Sequence, residues 1–86
     1  MWYALTRYSF DSEKPIAGPF KTEEEAWDFI ESQADEEYRI DTEENGWETR
    51  MFKDKENGEI TLIDYFVSHK DTTEFFIFEI DNTKLI

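Results

Sequence analysis

The chain has 86 residues, of which 22 are acidic and 9 are basic, and its net charge at neutral pH is −13. A negative field of this size repels nucleic acids and anionic membranes, so we expect no direct nucleic-acid or membrane partner and favour a basic protein partner. Aromatic residues make up 17% of the sequence, which argues against disorder and predicts a single folded domain over residues 1–86.

Cysteine is absent, which excludes disulfides and thiolate metal sites. The N-terminal residues have neither a basic start nor a long apolar run, and no segment approaches the ~20 apolar residues of a membrane span. We therefore expect a cytoplasmic protein whose acidity serves solubility, interaction or both.

Two features precede the first predicted helix. The segment Trp2–Phe10 is rich in aromatic side chains and ends in a polar loop, which predicts the first β-strand. The pair Gly18-Pro19 then indicates a second break, since glycine and proline both interrupt regular structure.

One helix is predicted from Thr22 to about Asp35. The Thr22 hydroxyl can accept a hydrogen bond from the backbone N–H of Glu25 while the Glu25 carboxylate reaches back, as in a capping box. At about 100° per residue, the apolar residues fall on one side of this helix. That side consists of Ala26, Trp27, Ile30 and Ala34, with Phe29 at its border.

The remaining chain shows the alternating pattern of β-strands, interrupted by the acidic segment 41–46, which predicts a loop. Asn57-Gly58 between two alternating segments is typical of a type I′ hairpin turn, and such a turn places Glu56 opposite Glu59. The predicted strands after the helix are a short one at Tyr38–Ile40, followed by Trp47–Lys55, Glu59–Ser68 and Glu74–Asp81.

These elements predict an α+β fold, with a mainly antiparallel sheet of about five strands in chain order β-α-β-β-β-β and one helix packed on one face. A helix of about 14 residues is only ~20 Å long and cannot cover both faces. Both faces of the predicted hairpin are apolar, so we expect an aromatic sheet face beyond the helix. Either this face binds a protein partner or a second copy, or residues 11–21 and 82–86 fold over it.

Four acids form a regular row along the polar side of the predicted helix. Their spacing of four, three and four residues places the carboxylates roughly 4.5–6 Å apart along the axis. Such a row can imitate a nucleic-acid backbone, and in charge alone the chain resembles small acidic inhibitors from phages and mobile elements. The ordinary alternative is the solvent face of an amphipathic helix. This acidic stripe consists of Glu24, Asp28, Glu31 and Asp35.

Asp64 interrupts the apolar run Leu62–Phe66 and is a candidate buried acid. A desolvated carboxylate has a raised pKa, which is a common way of making a functional acid. The alternative is that Asp64 pairs with Arg7, Arg39 or Lys53, or lies at the sheet edge.

Other chemical motifs are weak. The segment Asp41–Gly46 matches the first half of an EF-hand-like calcium loop, but Phe52 stands where the bidentate glutamate is needed. His69 is the single histidine, so a histidine-only metal site is impossible. We find no nucleophile motif, phosphate loop or dinucleotide fingerprint, and expect no catalytic residue, metal, cofactor or enzyme activity.

Three functional hypotheses remain. The first, which the sequence favours, is a non-enzymatic interaction or regulatory protein, with a dimer as one form, that uses its aromatic sheet face and acidic surface. The second is a DNA-mimic inhibitor of a nucleic-acid-binding enzyme that uses the acidic stripe. The third is a small ligand-binding protein or enzyme built around Asp64.

Overall fold

The computed structural model of the chain describes residues 1–9 and 15–81. Within them, five antiparallel strands and one packed α-helix confirm the predicted α+β fold. The elements in chain order are β1 (Trp2–Tyr8), β2 (Ala17–Phe20), α1 (Glu23–Arg39), a π-helical turn (Ile40–Glu44), β3 (Glu48–Asp54), β4 (Glu59–Tyr65) and β5 (Lys70–Glu79).

The last strand lies at the centre of the sheet. The strand order is β2-β1-β5-β4-β3, and all neighbouring strands are antiparallel. β2 and β3 form the two edges, and the helix lies between them in the chain, so α1 crosses one face of the sheet and contacts all five strands. The opposite face has no contact with α1.

The helix begins where the sequence predicts and ends later. The backbone N–H of Glu25 donates to the Thr22 hydroxyl at 3.1 Å, and the Glu25 carboxylate accepts from the backbone N–H of Lys21 at 3.2 Å. The first contact satisfies one of the N–H groups that a helix start leaves unpaired. The helix runs past the predicted end at Asp35 to Arg39. In the residues described, no helix is long and apolar enough to cross a membrane.

The segment after the helix differs from the prediction. Tyr38 and Ile40 both lie in helical structure, so the predicted short strand is wrong. The chain continues in the π-helical turn, where the backbone N–H of Asn45 donates to the carbonyl of Ile40 at 2.9 Å. The predicted loop over residues 41–46 is therefore mostly helical. Two apolar residues are too few to distinguish a strand from a helix end.

The fifth strand lies before the helix instead. β2 contains the Gly18-Pro19 pair that the sequence marks as a break. Proline lacks the N–H that an inner strand must donate, and at a sheet edge this loss is tolerated. The described part of the segment 11–21 thus extends the sheet. Residues 10–14 and 82–86, which include the rest of the predicted cover, lie outside the described residues.

β3 and β4 form the predicted hairpin with a longer turn. Asp54, not Glu56, lies opposite Glu59, and residues 55–58 form the loop. A shift of one residue would exchange the two faces of a strand. The observed pairing differs from the predicted one by two residues, so each side chain keeps its predicted face.

The hairpin turn is not of type I′, because that type needs a positive φ at both central residues. Gly58 has a φ of +68°, whereas no residue other than glycine has a positive φ in the described chain. The Asp54 carboxylate instead accepts from the backbone N–H of Asn57 at 3.2 Å and from its side-chain amide at 2.7 Å. Aspartate side chains commonly stabilise turns in this way.

The core lies between α1 and the helix-facing side of the sheet. Every helix residue predicted on the apolar side is buried, which confirms that prediction. Alanines on the helix and on β1 let the backbones approach, and larger side chains from β4 and β5 fill the remaining space. The buried apolar residues are Ala4, Ala26, Trp27, Ile30, Ala34, Ile60, Leu62, Phe75 and Ile77.

We expect Gly58→Ala to destabilise the fold more than Gly46→Ala. Both glycines have a φ of +68°, so both changes introduce left-handed strain of about 1 kcal/mol. A Cβ atom at Gly58 would lie 2.6 Å from Cγ1 of Ile77, whereas one at Gly46 would meet nothing within 4 Å. Urea denaturation of both variants should show an additional loss of about 1–3 kcal/mol at Gly58. Equal losses would contradict the packing of the turn against β5.

Candidate functional site

The structure places the acidic stripe beside β3 and the hairpin loop. The Lys53 ammonium lies 3.2 Å from the carboxylates of both Glu31 and Asp35, and the Lys55 ammonium lies 3.5 Å from that of Glu24. Exposed ion pairs of this kind contribute at most about 1 kcal/mol each. Two lysines therefore partly neutralise the stripe and attach the helix to the hairpin.

Asp28, the remaining member of the stripe, makes no ion pair within residues 1–9 and 15–81 and is exposed. A second group of acids surrounds Arg39 at the end of α1. The Arg39 guanidinium lies 2.7 Å from Glu36 and 3.1 Å from Glu44, and its hydrogen bond and charge lower the pKa of Glu36. The acidic surface is thus divided into small groups that contain cations rather than one continuous row.

The predicted aromatic sheet face lies opposite the helix. Two arginines lie over its rings: Arg7 over Phe76 at 5.3 Å and Arg50 over Tyr65 at 5.2 Å. No second helix among the described elements covers this face. We name it the open sheet face, and its apolar side chains are Tyr3, Leu5, Phe52, Ile63, Tyr65, Phe76 and Phe78.

Asp64 lies on the helix side of the sheet and is only 6% exposed. Its carboxylate accepts a hydrogen bond from the Thr49 hydroxyl at 2.6 Å. The basic residues that the sequence offered as partners contact other groups: Lys53 lies beside helix acids, and Arg39 beside Glu36. Arg7 lies on the open sheet face. Asp64 is therefore a buried acid, and none of these three basic residues is its counter-ion.

Asp64 borders a cavity of about 340 Å³ at the end of the sheet, below the C-terminal end of α1. Four elements each supply one carboxyl group to it. Asp64 on β4 is paired across the sheet with Asp71 on β5, while α1 and the π-helical turn supply the other two groups. We name this the acidic cavity; its carboxyl groups belong to Glu37, Asp41, Asp64 and Asp71.

Asp41 is the most deeply buried of these acids, with 4% of its surface exposed. Burial raises its pKa to about 8, and the neighbouring carboxyl groups of Asp64 and Glu37 act in the same direction. The Asp41 carboxyl group therefore shares a proton with the carboxyl groups of Asp64 and Glu37. The sequence placed Asp41 in a loop, so its burial was not predicted.

Asp71 is also incompletely satisfied. Its Oδ1 atom is buried and has no hydrogen-bond partner in the residues described. The nearest cationic candidate is Nε2 of His69 at 3.7 Å, which is too far for a hydrogen bond. The acidic cavity thus contains acceptors in excess of donors.

The segment Asp41–Gly46 does not form a calcium loop. Asp41 points into the acidic cavity, and Ile40–Glu44 form the π-helical turn. In the described chain, no group of three or more Asp, Glu or His side chains is arranged to hold a metal ion.

Comparisons of the chain with protein-family models, with curated proteins and with solved structures find no match. Three surfaces have a chemical character that sets them apart: the acidic stripe, the open sheet face and the acidic cavity.

We expect Asp41→Asn to stabilise the protein near pH 9 and to change its stability little near pH 4. The pKa of Asp41 rises from 3.8 to about 8 on folding, so the folded state holds this proton more tightly and loses stability as pH rises between these values. Asparagine cannot ionise and avoids that loss. Urea denaturation should show a gain of about 1–3 kcal/mol at the higher pH.

The matched control for this change is Asp28→Asn, which removes one exposed charge. It should alter stability by less than about 0.5 kcal/mol at either pH. A gain from Asp41→Asn that is the same at both pH values would show that Asp41 does not ionise with a raised pKa in the folded protein.

Proposed function

We propose that this chain is a non-enzymatic interaction protein that binds a basic protein partner through its open sheet face. The observation that carries the proposal is an aromatic face that no described helix covers. Phe52 on this face is 53% exposed, and Tyr3 stacks on Phe78 with 5.8 Å between ring centroids. Aromatic residues and arginine are enriched in protein interfaces and dominate their binding energy.

The charge of the chain favours a basic partner over a second copy. Association of two copies would bring two net charges of −13 together, and this repulsion opposes a dimer at low salt. A basic protein is attracted by the same field and associates faster. The open sheet face then supplies the apolar contacts that persist when salt screens the charges.

Mimicry of DNA by the acidic stripe is the second hypothesis, and it has less support. Lys53 and Lys55 pair with three of the four acids, so a basic groove would have to displace these lysines. The partner assay below includes a stripe variant for this reason.

We expect the double substitution of Arg50→Ser and Phe52→Ser, the face variant, to abolish capture of the basic partner. Both side chains lie on the open sheet face, and both are exposed, so the fold should tolerate the change. The assay is affinity capture from a lysate of the source organism at low and high salt, followed by binding measurements with each purified basic protein. The matched control is Glu24→Gln/Asp28→Asn, which changes the acidic stripe and should leave capture unaltered.

The outcomes separate the hypotheses. A basic protein captured at both salt concentrations, and lost only with the face variant, supports the proposal. Capture lost with the stripe variant and at high salt would favour DNA mimicry. Sedimentation equilibrium tests the remaining alternative: a dimer that grows with added salt and disappears in the face variant would replace the basic partner with a second copy.

A further inference from the structure

The acids of the acidic cavity come from distant parts of the sequence. In this they differ from the exposed acids on α1, which are neighbours along one helix. Its four carboxyl groups come from α1, the π-helical turn, β4 and β5. No lysine or arginine among the described residues lines it. On the helix surface, by contrast, lysines and Arg39 pair with four acids, which are Glu24, Glu31, Asp35 and Glu36. The carboxyl groups of the cavity are therefore near one histidine, since Nε2 of His69 lies 3.7 Å from Asp71, and near no lysine or arginine of the described lining.

One acid of the cavity shares a proton with its neighbours, and another has a buried acceptor atom that is unused. Asp41 is only 4% exposed, lines the cavity, and shares a carboxyl proton with its neighbours Asp64 and Glu37. The Oδ1 atom of Asp71 is buried without a hydrogen-bond partner. A buried carboxylate is unfavourable unless a cation or several donors compensate it. A cationic ligand would take the place of the shared proton, which is released to solvent, and would supply both the charge and the donors.

The backbone adds to the negative potential. The C-terminal end of α1 borders the cavity through Glu37, and the dipole of a helix has its negative end there. The chain then enters the π-helical turn, which places Asp41 over the sheet end. π-Helical segments are rare and occur often at functional sites.

The walls and size suit an organic cation. The volume of about 340 Å³ lies at the lower end of the roughly 300–1,000 Å³ of small-molecule sites. The rings of Tyr8 and Trp47 line the cavity, and aromatic faces attract organic cations. Trp47 packs edge-on against Phe66 at 5.1 Å, which fixes its indole beside the opening. Among the described residues, no three of these carboxyl groups are arranged to hold a metal ion.

We propose that the acidic cavity binds an alkylguanidinium or alkylammonium group, carried by a basic side chain of a protein or by a free small molecule. Its N–H groups donate to Asp41, Asp64 and Asp71, and its alkyl part lies against Trp47. The site is on the helix side of the sheet and is independent of the open sheet face.

Titration of the isotope-labelled full chain with butylguanidinium tests the proposal by amide chemical shifts in NMR spectra. We expect saturable shifts at residues 37, 41, 47, 64 and 71, and none with butylurea, a neutral molecule of nearly the same shape. Butylammonium should bind at the same residues. Asp41→Asn should weaken butylguanidinium binding at least tenfold, whereas Asp28→Asn should leave it unchanged.

Asp64→Asn provides a second variant, since asparagine can keep the hydrogen bond with Thr49 while removing the charge. The proposal would be overturned if the amide shifts were spread evenly over the acidic surface. It would also be overturned if Asp41→Asn and Asp64→Asn bound butylguanidinium with the affinity of the wild type. Displacement of butylguanidinium by an equal concentration of Mg²⁺ would also overturn it, because it would show a general counter-ion effect.

Two further probes separate the sources of the cation. N-acetyl-arginine amide represents a protein side chain, and agmatine represents a free small molecule with the same guanidinium group. Tighter binding of the first indicates a partner's arginine, and tighter binding of the second indicates a metabolite. The face variant should keep the affinity of the wild type for butylguanidinium. The cavity site would then still be supported if the sheet-face proposal failed.

Discussion

A single helix must cover a five-stranded sheet, and the rest of the structure depends on this constraint. Because α1 crosses from one sheet edge to the other, it buries one layer of apolar side chains and leaves the opposite layer without a helix. The same crossing carries the C-terminal end of α1 over the end of β4 and β5. The open sheet face and the acidic cavity are therefore two results of one packing arrangement.

The sequence predicts the local features of this fold well. The Thr22 cap is set by neighbouring residues, and the apolar side of α1 follows from spacing alone. The faces of the hairpin survive a register error because a shift of two residues preserves alternation. β2 and the π-helical turn were missed, since an edge strand with proline lacks alternation and a π-helical bond pattern has no clear sequence signal.

The candidate site was predictable only in part, because it depends on contacts between distant residues. Asp64 is conspicuous as an acid within an apolar run. The burial of Asp41, however, follows from the position of the helix end over the sheet. Asp41 and Asp64 are close in space but far apart in the sequence. For the acidic stripe, the regular spacing in sequence suggests an uninterrupted row of negative charge. In the structure, Lys53 and Lys55 lie beside the stripe and partly neutralise it. The position of a charge, and not the number of charges, decides its chemical role.

The central place of β5 has a consequence for how the chain assembles. β1 pairs with β2, and β3 pairs with β4, so two hairpin-like units exist before β5 is available. β5 then joins them by pairing with β1 on one side and β4 on the other. On the ribosome the two units cannot form a common sheet until β5 emerges, and such non-local pairing slows folding. During that interval the apolar strands of the nascent chain stay exposed, and the net negative charge protects them from aggregation.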